Sequence, residues 1–245
     1  MRTPRIHVAA PLQAGQSLSL PAQAGIHLTR VLRLAPGAPL LLFNGDGHDY
    51  AATLSTLGAS VRVDVHARQA AAAPESPLHL TLAQGIARGD KMDLILQKAT
   101  ELGATRIVPL LTARTEVKLD AARADKRMAH WQAVLVAACE QCGRACLPVL
   151  DAPQPLMQWL AKRPAATEQA PLLVLDPQAT LRVRDLPALL AATLVIGPEG
   201  GLDGADHALL RAAGARGLRL GPRVLRTETA GLAALAALQA LAGDA

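Results

Sequence analysis

Two stretches of this chain carry the residue types from which a ligand pocket can be made: "LVIGPEGGLDGAD" at 194–206 and "LRLGPRVLRTETA" at 218–230. In each, apolar residues lead into Gly followed by Pro, a stiff turn with few side-chain atoms over the backbone. Ligands of open α/β sheets bind beyond the carboxyl ends of strands, and a Gly-rich turn entering a helix brings main-chain groups close to a nucleotide-like molecule. Glu199 stands in the middle of the first turn, where a phosphate would meet a negative charge. Neither the Walker G-x-x-x-x-G-K-[ST] string nor the dinucleotide G-x-G-x-x-G fingerprint occurs. Main-chain walls suit adenine edges and ribose, and a ligand with a cationic sulfonium and an amino group, such as S-adenosylmethionine, tolerates Glu199. The competing reading is a tight strand-to-helix connection with Asp203 as its cap and no ligand at all.

A third candidate is the cysteine cluster Cys139, Cys142 and Cys146, spaced C-x2-C-x3-C. A zinc site would want a fourth ligand nearby, and none follows at a conventional spacing. Cys139 and Cys142 also continue an apolar stripe with Met128, Trp131 and Leu135 at intervals of three and four, which favours buried small hydrophobes over a metal site. The odd count argues against a disulfide framework and fits a reducing compartment.

The elements that must position these residues fall into two rhythms. "RIHVA", "SLSL", "PLLLF", "NGDGHDYAATL" and "ASVRVDVHAR" read as strands and a tight Asn-Gly/Asp-Gly turn, with "AGIHLTRVLRL" as a helical stretch. The low-complexity "QAAAAPESP" marks a linker, so residues 1–72 form a small, β-rich, barrel-like module and 73–245 a second domain. There the rhythm is strand–helix alternation. "LHLTLAQGI" precedes a helix with Asp90 as cap and Gly103 as stop, and "TRIVPLLT" precedes a long helix from Asp120 to about Gln141. "LPVL", "PLLVLD", "ATLVIG" and "GLRL" are further strands, and Leu232, Leu235 and Leu238 stripe a final Ala-rich helix. Helix-linked strands of this kind predict a largely parallel α/β sheet covered on both faces.

With 245 residues, half of them hydrophobic (51%) and only 2% aromatic, the chain can bury a core of Ala, Leu and Val. The net charge of +5 is compatible with a nucleic-acid partner or with a solvated basic surface. Charges interrupt every candidate membrane span, and the basic start lacks a signal-peptide core, so a cytoplasmic protein is expected.

The strings "KMDLILQKATELGATRIVPLLTARTEVKL", "AACEQCGR", "LVIGPEGGL" and "LGPRVLRTETA" resemble the RsmE family of 16S ribosomal RNA methyltransferases, and "HLTRVLRL" is similar to that family's H-x-x-x-V-L-R element. The resemblance spans nearly the whole chain. It implies a PUA-like N-terminal domain, a C-terminal SPOUT methyltransferase domain with a trefoil knot, and a homodimer. It also implies methyl transfer from S-adenosylmethionine to N3 of one uridine in small-subunit rRNA. Departures from the family pattern are confined to the linker and to "IARGDKMD", where Arg88 and Lys91 bracket Gly-Asp.

By matching motif, the resemblance places Ile196, Gly197, Pro198, Glu199, Gly200 and Gly201 on one wall of the cofactor pocket. Leu220, Gly221, Leu225 and Arg226 with Thr229 and Ala230 form the other. Uracil N3 carries a proton, so the reaction needs a proton acceptor or cations that stabilise the uridinate. Glu228 and its cationic neighbour Arg226 are the candidates; the alternative is a structural pair at the start of the last helix. RNA contacts fall to His27, to Arg30 and Arg33 on one face of the N-terminal helix, and to Arg114, Lys118 and Arg144, or these are ordinary surface charges. Three other outcomes stay open: an RNA-binding module that has lost catalysis, a cofactor enzyme built on the cysteines, and a methyltransferase for another RNA.

Overall fold

The computed structural model describes residues 3–57, 60–117 and 121–245 and resolves two compact units, one of residues 1–75 with 136–147 and one of residues 76–135 with 148–245. In chain order the first unit holds β1 (Arg5–His7), β2 (Ser17–Ser19), α1 (Ala22–Ile26) with a π-helical turn His27–Val31, β3 (Pro39–Phe43), β4 (His48–Thr56) and β5 (Arg62–Ala70). The strands run β1-β3-β4-β5-β2; β1 pairs parallel with β3 and the other pairs are antiparallel. Gly45 and Gly47 adopt positive φ in the turn before β4, the conformation that Asn-Gly and Asp-Gly were expected to supply.

The core of this unit is aliphatic: Leu28, Leu40, Leu42, Leu54 and Val63 are buried on the inner face. A second buried group is charged. Arg5 pairs with Asp49 at 2.6 Å, donates to the Cys139 carbonyl at 2.6 Å and lies 4.7 Å over the Phe43 ring. Asp49 also accepts from the Ala72 amide, and Arg144 is held by Glu75. The stretch read as a linker is therefore fastened by hydrogen bonds. Cys139 is fully buried, as the apolar stripe implied.

The second unit begins with β6 (His79–Gly85), α2 (Asp90–Glu101), β7 (Ala104–Leu111) and α3 (Ala121–Cys142), whose last turns belong to the first unit. It continues with β8 (Val149–Leu150), β9 (Gln154–Pro155), α4 (Leu156–Lys162), β10 (Leu172–Leu175), β11 (Ala191–Ile196), α5 (Gly204–Ala212), β12 (Arg216–Leu218) and α6 (Thr227–Ala242). Among the described residues the strands run β12-β10-β11-β6-β7-β8 with β9 also on β7, all parallel. Asp90 is not the cap of α2: Gly89 holds that position at φ 56, and Asp90 lies in the first turn, where its charge favours the helix dipole. Gly103 ends the helix at φ 78 as expected. Leu235 and Leu238 are buried and Leu232 packs against the same core, so the α6 stripe faces the sheet of its own chain.

The path of the last third departs from ordinary sheet rules. From β12 at the sheet edge the chain returns to the centre, where α6 packs on β11 and β6. On the way, the Arg219 amide bonds to the Leu181 carbonyl in the connection after β10, and the Thr227 hydroxyl donates to the Gly197 carbonyl in the connection after β11. The 219–226 segment thus passes between two earlier connections, the knotted crossing that unthreaded α/β topologies avoid.

Candidate active site

Both Gly-Pro turns end at the carboxyl edge of the parallel sheet, and local sterics explain their sequences. A Cβ on Gly197 would lie 2.8 Å from the Gly201 carbonyl carbon, so the first turn folds on itself only with glycine there. A Cβ on Gly85, at the end of β6, would sit 2.5 Å from the Pro198 nitrogen, which shows how closely this turn lies on the neighbouring strand. Asp203 then caps α5, accepting from the Asp206 amide at 2.8 Å while Asp206 accepts from the Asp203 amide. The cap expected of Asp203 is present alongside a cavity, so capping and ligand binding are compatible.

The second turn is tied to the first by a polar relay. Thr227 donates to the Gly197 carbonyl at 2.6 Å, and the buried Gln84 donates its amide to Thr227 at 2.9 Å and to the Gly85 carbonyl at 2.8 Å. With the threonine proton committed to Gly197, Gln84 must present nitrogen rather than oxygen to Thr227. The relay joins β6, the first turn and the start of α6.

Between the turns lies a cavity of about 390 Å³, inside the range of roughly 300–1,000 Å³ common for small-molecule sites. Ile196, Gly197, Pro198, Glu199 and Gly201 line one side, and Leu220, Gly221, Leu225, Arg226, Glu228 and Ala230 the other. Two expected residues are absent from the lining. Gly200 is exposed, and its carbonyl accepts from Arg114 at 2.8 Å; Thr229 is exposed on α6, and Thr227 lines the cavity instead. Sequence reasoning missed Asp176 and Pro177 after β10, His207 on α5, and Lys91 on α2. The Asp-Pro at the end of "PLLVLD" was a usable signal, since it too closes a parallel strand. Lys91 gave none, because its place depends on α2 lying beside both turns.

The charges at the site form a chain. Lys91 Nζ lies 3.3 Å from Glu199 and 3.8 Å from Glu228. Glu199 also accepts from the Arg88 amide at 3.0 Å, and the Arg88 guanidinium pairs with Glu116 at 2.7 Å. Burial works against the charged form of Glu199, but the Arg88 amide, its own amide and the Lys91 ammonium outweigh it and hold the carboxyl below its ordinary value. Glu228 Oε2 is buried without a hydrogen-bond partner. The cavity therefore offers both signs of charge, the carboxylates of Asp176, Glu199 and Glu228 and the cations Lys91, Arg223 and Arg226, and among them Glu228 keeps an unspent acceptor oxygen.

The expected RNA-binding residues have varied surroundings. His27 and Arg30 are exposed on the π-helical turn. Arg33 does not share a helical face with Arg30: the helix closes at Leu32, and Arg33 is exposed beyond it at φ 53, alone among the described non-glycine residues in having positive φ. Arg114 is exposed beside the first turn, whereas Lys118 lies outside the described residues. Arg144 is no surface charge. Its side chain is 6% exposed and its guanidinium is occupied by Glu75, which replaces the expected phosphate contact with an internal ion pair.

Comparison with known proteins places this geometry. Residues 74–239 match the RNA methyltransferase domain family and residues 20–62 the RNA methyltransferase PUA domain family. A ribosomal RNA small subunit methyltransferase E of Mycobacterium bovis is 36% identical over 224 residues, covering 89% of this chain and 84% of the relative. A Legionella pneumophila protein solved with its cofactor SAM bound superposes with a TM-score of 0.94 at 39% identity over 100% of both chains. The Neisseria gonorrhoeae ribosomal RNA small subunit methyltransferase E bound to S-adenosyl methionine gives 0.90 at 36% identity over 99% of both. With two Gly-Pro turns, a threaded return to the sheet centre and a PUA-like unit ahead of it, the chain belongs to the RsmE family of 16S ribosomal RNA methyltransferases, within the SPOUT superfamily.

Proposed function

We propose that this chain transfers a methyl group from S-adenosylmethionine to N3 of one uridine in 16S ribosomal RNA, giving 3-methyluridine. The observation that carries the reading is a cavity between two Gly-Pro turns whose charged lining includes Glu199 and Glu228. Gly201 and Gly221 have open space where a side chain would project, which leaves room for close backbone approach, and the carboxylates suit a cationic donor. Ile196, Leu220 and Leu225 offer backbone groups to the adenine, and Leu175 and Leu218 supply apolar lining. Bound there, S-adenosylmethionine supplies an electrophilic methyl carbon whose bonding electrons leave with sulfur.

The chain's own part is to make N3 nucleophilic. The target base comes to the cavity unpaired, because N3 lies on the Watson–Crick edge. Glu228 accepts the N3 proton as the new bond forms, and Arg226, which has no accessible neutral form, steadies the negative charge spreading onto the uracil oxygens. Residues 1–72 bind RNA and residues 73–245 carry the transfer. His27, Arg30, Arg33 and Arg114 contribute phosphate or base contacts, and with 2% aromatic residues recognition rests on phosphate and RNA shape. No helix among the described residues is long and apolar enough to cross a membrane. A cytoplasmic homodimer acting on the small ribosomal subunit completes the reading.

The test uses purified protein, isotopically labelled S-adenosylmethionine and small subunits lacking the modification, followed by nucleoside digestion and mass spectrometry. Label in 3-methyluridine from one position supports the proposal. Cofactor binding without transfer redirects it to another RNA, and absence of both favours an RNA-binding module without catalysis.

A further inference from the structure

Glu199 and Glu228 come from opposite walls of the cavity, one from the turn after β11 and one from the first turn of α6. Two carboxylates brought together at low exposure, 18% and 16% for their side chains, repel each other and lose hydration. Among the described residues, Lys91 is the cation within ion-pair distance of either, and it reaches both from a third element, α2. Glu228 Oε2 has no hydrogen bond, so this ammonium at 3.8 Å is its nearest charge compensation. Arg88 does not take this place: its guanidinium turns to Glu116 and only its amide reaches Glu199.

We propose that Lys91 is a positioning residue of the methyl-transfer site, its ammonium shared between Glu199 and Glu228 so that the two walls stay in register. The inference rests on the reading of Glu228 as proton acceptor. Lys91 need not touch the uracil. It fixes the carboxylate that does, and by standing between the two carboxylates it offsets their mutual repulsion. The other charged or titratable groups lining the cavity are Asp176 after β10, His207 on α5, and Arg223 and Arg226 on the second turn. Neither arginine lies within ion-pair distance of Glu199 or Glu228 among the described residues, so neither takes the place of the ammonium carried on α2.

The test compares wild type with Lys91→Met, Lys91→Gln and Lys91→Arg. S-Adenosylmethionine affinity is measured by calorimetry, and the single-turnover rate on unmodified small subunits is measured across mildly acidic to neutral pH. Loss of the ammonium is expected to weaken cofactor binding about tenfold and to slow transfer by about 100-fold through misplacement of the carboxylate. The acid limb of the rate profile moves to higher pH, since Glu199 loses the cation favouring its charged form. Lys91→Arg restores the limb and most of the rate. Lys91→Gln guards against a misfolded Met variant, with thermal unfolding as the check. Folded Met and Gln variants with wild-type affinity and an unmoved acid limb would overturn the proposal. A parallel Glu228→Gln variant separates the two ideas: if it transfers at the wild-type rate the proton-acceptor reading fails, while the Lys91 affinity change still reports on the clamp between the walls.

Discussion

The two units each contain a cluster of charges, and the clusters differ in what surrounds them. In the first unit Arg5 and Asp49 are 2% and 0% exposed; the Asp49 carboxylate is met by a guanidinium and an amide, and Arg5 also reaches two carbonyls. In the second unit Lys91, Glu199 and Glu228 are partly open, line a cavity, and leave one carboxylate oxygen without a hydrogen bond. Both clusters hold distant segments of chain together. In the first, Asp49 is fully met and the unpaired atom is a donor, Arg5 Nε; in the second the unpaired atom is a carboxylate oxygen of Glu228, an acceptor on the lining of a cavity. Charge alone therefore does not mark a working site.

That contrast can be broken at its strongest point by Asp49→Ala, which strands a buried guanidinium. A loss of about 3–5 kcal/mol is expected, read as a lowered urea midpoint for the first unit's transition, with affinity for S-adenosylmethionine unchanged. Weakened cofactor binding in a folded Asp49→Ala protein would mean that the buried cluster is more than structural. Glu228→Gln should do the reverse. Transfer falls by roughly 10²–10⁴-fold, the range for loss of a general base, while thermal stability changes little.

A smaller effect is expected at Glu199. Its folded carboxyl titrates below the ordinary 4.5, so the stability it adds is present above that value and is lost as pH falls through the lower folded value. The melting-temperature gap between wild type and Glu199→Gln should be full at neutral pH and close in acid; a gap independent of pH would sever the carboxylate from its cation. The smallest change belongs to the exposed Arg88–Glu116 pair, 58% and 60% exposed. Glu116→Gln should cost less than about 1 kcal/mol, and a larger loss on thermal unfolding would show that the charge chain is cooperative along its whole length.

Much of the site was legible because its turns are built from local rules. Gly197 is demanded by contact with the backbone four residues on, Gly201 by its φ of 70, and Asp203 caps the helix that follows it, so composition and spacing carry these facts. Parallel strands and their order in the chain were legible for the same reason. Lys91, Asp176 and His207 were not, because they reach the cavity from elements whose adjacency is set by the threaded path of 219–226. Arg144 was misread since a basic residue in a sequence carries no sign of its exposure; a carboxylate at Glu75 decides it. Arg33 was misread for another reason. The helix shifts to π geometry at His27 and stops at Leu32, where hydrogen bonds from Leu32 to His27 and from Leu34 to Leu28 close it.

The threaded segment also determines how a ligand can come and go. A pocket between two hinged lobes opens by rotating one lobe away, and its exchange rate follows that rotation. Here the second wall is laced between the connection after β10 and the connection after β11, and Thr227 and Gln84 pin its far end. Swinging it outward would require unlacing the fold. Entry and exit are left to motions of the exposed rim, where Arg223 and Val224 project, Val224 at 81% exposure. A wall tied at both ends by Arg219 and Thr227 leaves little ordering entropy to be spent on assembling it. Residence time then becomes a property of a short flap of side chains, adjustable by substitution there without disturbing the lacing beneath.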